Sequence, residues 1–293
     1  VEQRAKLAKG EFHPDLLYLS ATPIPRSLAL TVYGDLEVSQ IDEMPPNRKP
    51  VQTYIRSDRK LDTVYSAIRT ELNKGMQVYF VCPLVDESEK VELLDAERLF
   101  IHLNTKIYPS FSCELMHGRM TAIQKDDIMR RFKNGEIQIL VSTTVIEVGV
   151  DVENSSVMVF EHADRFGLAQ LHQLRGRVGR GAEQAYCYLI EHQTMTAIAR
   201  ERLATMSKTN DGFEIAEKDL ELRGPGEMFG YEQSGMPRFR FANLMRDQSI
   251  LNQARSDAFS IVSADPHLQN PEHKLLKSMY QANYSQKEEL ILY

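Results

Sequence analysis

The 293 residues carry 35 Lys and Arg against 41 Asp and Glu, a formal net charge of −6, with a pI near 5.8. That balance argues against a protein that grips polyanions over its whole surface, although a local basic groove is compatible with an acidic exterior. With 42% hydrophobic and 26% charged residues the chain has the make-up of an ordinary globular protein of one or two domains. Cys82, Cys113 and Cys187 form no CxxC pair, so neither a zinc site nor a disulfide framework is indicated, and an intracellular, reducing compartment is expected. Neither a signal-peptide pattern nor an apolar run of about 18 residues occurs.

Val1 to His13 is polar. Leu16 to Leu19 predicts a short strand, Ser20-Ala21-Thr22-Pro23 a turn, and Arg26 to Tyr33 a helix; Pro23 and Pro25 force a sharp switch between them. Asp42 to Pro50 (DEMPPNRKP) is rich in proline and reads as a linker. Strands and helices then alternate: a strand over 51–55, a helix from Leu61 to Lys74 closed by Gly75, and a strand over 77–82. A helix from Val91 to Asn104, a strand over 113–116 and a helix from Ala122 to Lys133 follow, then strands over 137–142, 157–161 and 185–190. This alternation predicts an α/β fold, a parallel sheet with helices on both faces. From Thr194 the pattern is helical only. One helix over 195–209, a break at Asn210-Asp211-Gly212 and a second helix from Phe213 to Gly224 predict a helical hairpin. A Gly- and Pro-rich loop follows, then a helix from Leu244 to Val262, and the final thirty residues show no clear pattern.

The chemistry concentrates between Val141 and Gly181. Ser142, Thr143 and Thr144 end a strand, and a turn runs through Gly149 to Asp151. FGLAQLHQLRGRVGRG then sets Arg175, Arg177 and Arg180 among Gly176, Gly179 and Gly181. Arginine's planar, permanently charged fork suits phosphate, and glycines let the backbone approach a bulky anion. Arg175 is equally suited to a surface salt bridge; His162 and His172 read as structural. His117-Gly118-Arg119-Met120 ends a strand and opens a helix, where backbone N–H groups and the dipole hold phosphate. No GxxxxGK[ST] occurs, so Asp86-Glu87, which follows a strand as a Walker B pair would, and Asp42-Glu43 read as solvated acids. Arg238-Phe239-Arg240-Phe241 is explained equally well as a half-buried edge strand.

These stretches resemble motifs V and VI of superfamily 2 helicases. STTVIEVGVDV and QLHQLRGRVGRG are similar to the RecG and transcription-repair-coupling branch of DNA translocases, and NDGFEIAEKDLELRGPGEMFGYEQSG (Asn210 to Gly235) favours the RecG family. The likeness runs from Leu17 to about Asp257. It implies that residues 1–50 hold the end of a first motor domain (motif III) and a linker, 51–191 a second RecA-like motor domain, and 192–293 a translocation hairpin, loop and C-terminal helical extension. By the same resemblance Arg177 and Arg180 are arginine fingers acting on ATP. Gly149, Asp151 (near the ribose) and Gln173 lie on the nucleotide; motif VI often begins His-Arg, where this chain has Gln173 and Leu174. Thr143, His117, Gly118 and Arg119 lie on the DNA backbone, while Arg202 and Arg223 tie the hairpin helices together and Gln233 sits in the loop beyond. ATP and magnesium are implied as cofactors, bound mainly by a first motor domain whose P-loop and DExx strand are not in this sequence, so no metal-binding residue is assigned. The implied partners are forked or branched double-stranded DNA and N-terminal lobes of the same chain, not a membrane, in a bacterial cytoplasm and at the nucleoid. A transcription-repair coupling translocase and a non-catalytic nucleic-acid-binding module are the alternatives.

Overall fold

A computed structural model describes residues 48–83, 89–143, 152–192, 195–228 and 247–284, with single positions at 17, 39, 41, 43 and 45. The strand at 16–19 except Leu17, the helix at 26–33, part of the proline linker, Asp86-Glu87 and the basic-aromatic stretch at 238–241 lie outside these residues.

Six strands, β1 (Gln52–Ser57), β2 (Gln77–Val81), β3 (Cys113–Met116), β4 (Ile139–Ser142), β5 (Ser155–Phe160) and β6 (Tyr186–Glu191), form one sheet in the order β1-β6-β5-β2-β4-β3. All five neighbouring pairs are parallel. The connections include helices α1 (Leu61–Asn73), α2 (Glu89–His102), α3 (Ala122–Lys133) and α4 (Leu168–Arg175). Alternate residues of each strand enter different cores. Val78, Phe80, Ile139 and Val141 pack with Val64, Ile68 and Leu72 of α1 and Ala96 of α2. Tyr79, Val81, Leu140 and Met158 pack with Phe132 of α3 and Leu171 and Leu174 of α4. A sheet buried on both faces explains why its strands read as continuous apolar runs. The expected parallel α/β fold, RecA-like in type, is therefore what the sequence forms.

Local chemistry sets the element ends. Gly75 and Gly135, at φ +83 and +78, close α1 and α3 in the left-handed region. Thr121 and Gln124 form a reciprocal capping box that starts α3. Gln77, buried at the foot of β2, donates to the carbonyls of Phe132 and Ile137 and ties the end of α3 to the sheet.

The predicted hairpin is present as α5 (Ala197–Lys208) and α6 (Gly212–Met228). The second helix does not stop at Gly224 but continues through Pro225. A proline crowds the Cβ of the residue before it, and Gly224 has none. Beyond lie α7 (Gln248–Ala264) and α8 (Lys274–Tyr284), the latter in the stretch where no pattern was read. Its signals are Asn270-Pro271, where the Asn270 side chain caps a short turn, and apolar Leu275, Leu276, Met279 and Tyr280 at helical spacing. The chain divides into two compact units, 41–224, and 1–40 together with 225–293.

Phe132 is fully buried and its ring lies 4.8 Å from that of Tyr79. Phe132→Ala is expected to lower unfolding free energy by about 3–5 kcal/mol. Ile123→Ala on the same helix, at a residue 82% exposed, is expected to change it by less than about 0.5 kcal/mol. Urea denaturation of both variants measures the contrast.

Candidate functional site

The arginine loop follows directly from α4. Gly176 N–H donates to His172 O at 3.1 Å, Arg177 N–H to Leu174 O at 2.9 Å, and Val178 N–H to Arg175 O at 3.3 Å, so the loop is wound onto the helix end. Gly179 N–H reaches Ser155 O at 3.2 Å, pinning the loop to the amino end of β5. Arg177 is half-buried and Arg180 exposed, its Nε donating to Gly176 O at 3.3 Å. Gln173 is half-buried on α4. The space left by two glycines is filled by protein. A Cβ on Gly179, which sits at φ +73, would stand 2.9 Å from the Cβ of Ala185, and one on Gly181 would stand 2.7 Å from Glu153 O. Packing by itself therefore requires glycine at both positions.

Arg175 is not on the surface, and among the described residues it makes no salt bridge. It is 3% exposed, and its Nη1 donates to Thr53 Oγ1 at 3.2 Å, Met206 O at 2.7 Å and Thr209 O at 3.1 Å. Burial lowers its pKa from the ordinary arginine value.

At the carboxyl ends of β3 and β4 a second group of residues meets. Thr143 N–H donates to Met116 O at 3.2 Å, setting Thr143 beside the residue that precedes His117. With that N–H committed, only the hydroxyl remains to meet a phosphate. Thr143 Oγ1 and His117 Nδ1 are both shielded from solvent and, among the described residues, have no hydrogen-bond partner. Such groups cost about 1–3 kcal/mol each when left unmatched, so an arriving donor or acceptor is favoured there. The helix itself contributes less than expected. His117 to Met120 form a turn ahead of α3, and the Gln124 N–H is occupied by Thr121 Oγ1 at 3.3 Å. Positive charge comes instead from exposed Arg119 and from Lys125, whose Nζ donates to Gly118 O at 2.9 Å. Lys125 escaped sequence reading; its place in the first turn of a capped helix was the available signal.

Arg202 lies on α5 and Arg223 on α6, while Gly149, Asp151 and Gln233 are outside the described residues. Arg202 Nη1 donates to Phe166 O at 2.8 Å, tying α5 to the body of the sheet unit. Across the hairpin, Lys218 Nζ meets Glu201 at 2.6 Å. Leu203, Met206 and Ile215 join the core shared with α4, so both helices are seated on that unit.

A model of the family described as "Helicase conserved C-terminal domain" matches residues 59–182, which include the arginine loop, Thr143 and His117. The model "ATP-dependent DNA helicase RecG, domain 3, C-terminal" matches 209–287, which include Arg223 and Gln233. The chain is 48% identical, over 94% of its length, to the ATP-dependent DNA helicase RecG of Bacillus subtilis. It belongs to the RecG family. The Thermotoga maritima RecG is 49% identical over 89% of the chain. A structure of RecG bound to a three-way DNA junction superimposes with a TM-score of 0.63 at 44% identity, covering 82% of this chain and 32% of that one. The chain spans 40% of the Bacillus relative and 33% of the Thermotoga relative. Within this family frame, β6 and α5 fall between the two matched regions, so Arg202 lies in neither.

At the carboxyl ends of β5 and β6 lies a cluster that sequence reading missed, apart from His162. His162, at φ 50, stacks on His192 with ring centroids 3.8 Å apart, and His192 Nδ1 lies 3.2 Å from Asp58. Beside it Glu161 Oε1 is shielded and, among the described residues, without a hydrogen-bond partner. Burial raises the Glu161 pKa from an ordinary 4.5 to about 7. His172 is held down at about 4, first by burial and then by Arg175. For Glu161 the folded state keeps its proton where the unfolded state has lost it, so stability falls as pH rises from about 4.5 to about 7. Glu161→Gln removes that penalty. Its unfolding free energy relative to the unsubstituted protein, measured by urea denaturation, is expected to rise between pH 5 and pH 8, by about 1.4 kcal/mol per unit of pKa displacement. A difference independent of pH contradicts the assignment.

Proposed function

We propose that the chain is the second motor domain and translocation hairpin of an ATP-dependent, double-stranded-DNA helicase that remodels stalled forks and branched recombination intermediates. The observation that carries this reading is the arginine loop held on α4 within a helicase C-terminal match, in a chain that continues into a RecG domain-3 match. Residues 1–50 then end the first motor domain and link it, 51–191 form the second, and 192–293 form the hairpin, loop and helical extension.

In this reading Arg180 and Arg177 neutralise charge on the transferred phosphoryl group, which is how arginine fingers act. Gly149, Asp151 and Gln173 line the nucleotide. ATP and magnesium are held mainly by a P-loop domain outside these 293 residues, and the bound metal supplies charge neutralisation at the phosphates. Thr143 Oγ1, His117, Gly118 and Arg119, with Lys125 added, hold a DNA phosphate without reading bases, as backbone contacts do. Arg202, Arg223 and Gln233 pass motion to DNA through the hairpin and its loop. A cytoplasmic protein working at the nucleoid fits this activity. The match of a RecG-specific model to 209–287 weighs against the transcription-repair coupling alternative and against a non-catalytic module.

Without GxxxxGK[ST] in its sequence, the isolated chain is expected to hydrolyse ATP no faster than buffer. Robust DNA-stimulated turnover by it alone contradicts the division of labour. In the full-length parent, Arg180→Ala is expected to lower ATP hydrolysis by about 10³ to 10⁵, and branch migration with it. Arg223→Ala is expected to spare much of the DNA-stimulated ATPase while branch migration drops sharply. Both activities are measured for both variants, with folding checked by thermal melting. Equal loss of the two in Arg223→Ala at unchanged stability removes the hairpin from the motor.

A further inference from the structure

We propose that Arg175 is the positioning residue through which the arginine loop moves the hairpin. The inference rests on the motor reading and adds to it a physical link between nucleotide and lever. On one side Arg175 is the last residue of α4, and the loop bearing Arg177 and Arg180 is wound onto that helix end by the bonds to His172 O, Leu174 O and Arg175 O. A displacement of the loop therefore displaces Arg175. On the other side its Nη1 shares its hydrogens among Met206 O at 2.7 Å, Thr209 O at 3.1 Å and, on β1, Thr53 Oγ1 at 3.2 Å.

Met206 O and Thr209 O mark where α5 ends and the chain turns into α6. Thr209 Oγ1 accepts from Asp211 N–H at 3.0 Å, and Asp211 Oδ1 accepts from Phe213 N–H at 2.7 Å, at the start of α6. One guanidinium thus grips the corner of the hairpin. The last carbonyls of a helix lack intrahelical partners and carry the negative end of its dipole, which makes them natural acceptors for a cation.

Stability alone does not call for arginine here. No carboxylate among the described residues pairs with it, and a buried charge held by neutral oxygens is less favourable than a well-packed apolar side chain. What the charged fork gives is direction: short bonds from a rigid plane to a defined helix end. Lysine, a point charge on a flexible stem, keeps the charge and loses that fixed geometry.

The test uses the full-length protein, with its first motor domain, and the non-hydrolysable analogue adenylyl imidodiphosphate. In the unsubstituted protein, amide exchange in residues 175–181 and 205–213 is expected to respond to the analogue together. In Arg175→Lys, 175–181 still responds while the response of 205–213 falls by about tenfold, within the range of coupling between sites. ATP consumed per base pair migrated is also expected to rise about tenfold in Arg175→Lys, whereas a merely structural defect lowers both rates and leaves that ratio alone. A 205–213 response undiminished in the variant, or an unchanged ratio, overturns the proposal. If Arg175→Lys fails to fold, the unsubstituted protein still decides, because a loop that responds while 205–213 stays silent refutes the link. Failure of the motor reading looks different: the full-length protein then hydrolyses ATP without moving DNA, whatever its exchange pattern.

Discussion

The parallel run of six strands is the constraint on which every other placement depends. Because all strands point one way, each end of the sheet gathers loops of a different kind. Thr143 and His117 follow β4 and β3, so they meet at the carboxyl ends. The arginine loop contacts Ser155, Val51 and Ala185, which stand at the amino ends of β5, β1 and β6. A six-residue strand spans roughly 20 Å at its usual rise. The two groups are therefore separated by the length of the sheet, and a phosphate on a nucleic acid and one on a nucleotide would be handled at different ends.

Separation by a stiff layer has a mechanical consequence. A sheet buried on both faces by dense cores does not deform gradually, since interiors packed as closely as organic crystals transmit displacement. The loop is also rigid at its root: Gly179 and Gly181 fit so closely against Ala185, Val51 and Glu153 that a single methyl group has no place. The loop bearing Arg177 and Arg180 thus flexes little within itself, so that any shift of it is passed on to the end of α4.

Much of this was legible in the sequence, and the reasons differ by element. Strand positions were readable because double burial writes Val, Ile, Leu and Phe in unbroken runs, and α3 was readable to the residue because Thr121, Gln124, Asn134 and Gly135 mark its two ends. What failed were properties of contact rather than pattern. Nothing local distinguishes Arg175 from Arg177 or Arg180, since its burial comes from Thr53, Met206 and Thr209, far away in sequence. Glu161 looked like the polar end of a strand, and only the packing around it shields its carboxyl. Arg202 is similar in that its bond to the carbonyl of Phe166, 36 residues away, leaves no local mark in the sequence.

The acidic character of the whole chain also takes on meaning beside the geometry. A protein of net charge −6 repels a polyanion at long range, so any grip on DNA must come from a few local cations such as Arg119 and Lys125. Each phosphate neutralised on duplex DNA contributes a slope of about −0.9 to the dependence of affinity on salt. A site with few such contacts holds weakly, and the surrounding negative field opposes non-specific adhesion. For the proposed translocase that weakness is an advantage, because a lobe that advances along a backbone must let go of one phosphate before it takes the next. Strong attraction over the whole surface would hold such a lobe in place, whereas in the proposed reading a few local contacts near Thr143 and His117 can be made and broken one at a time.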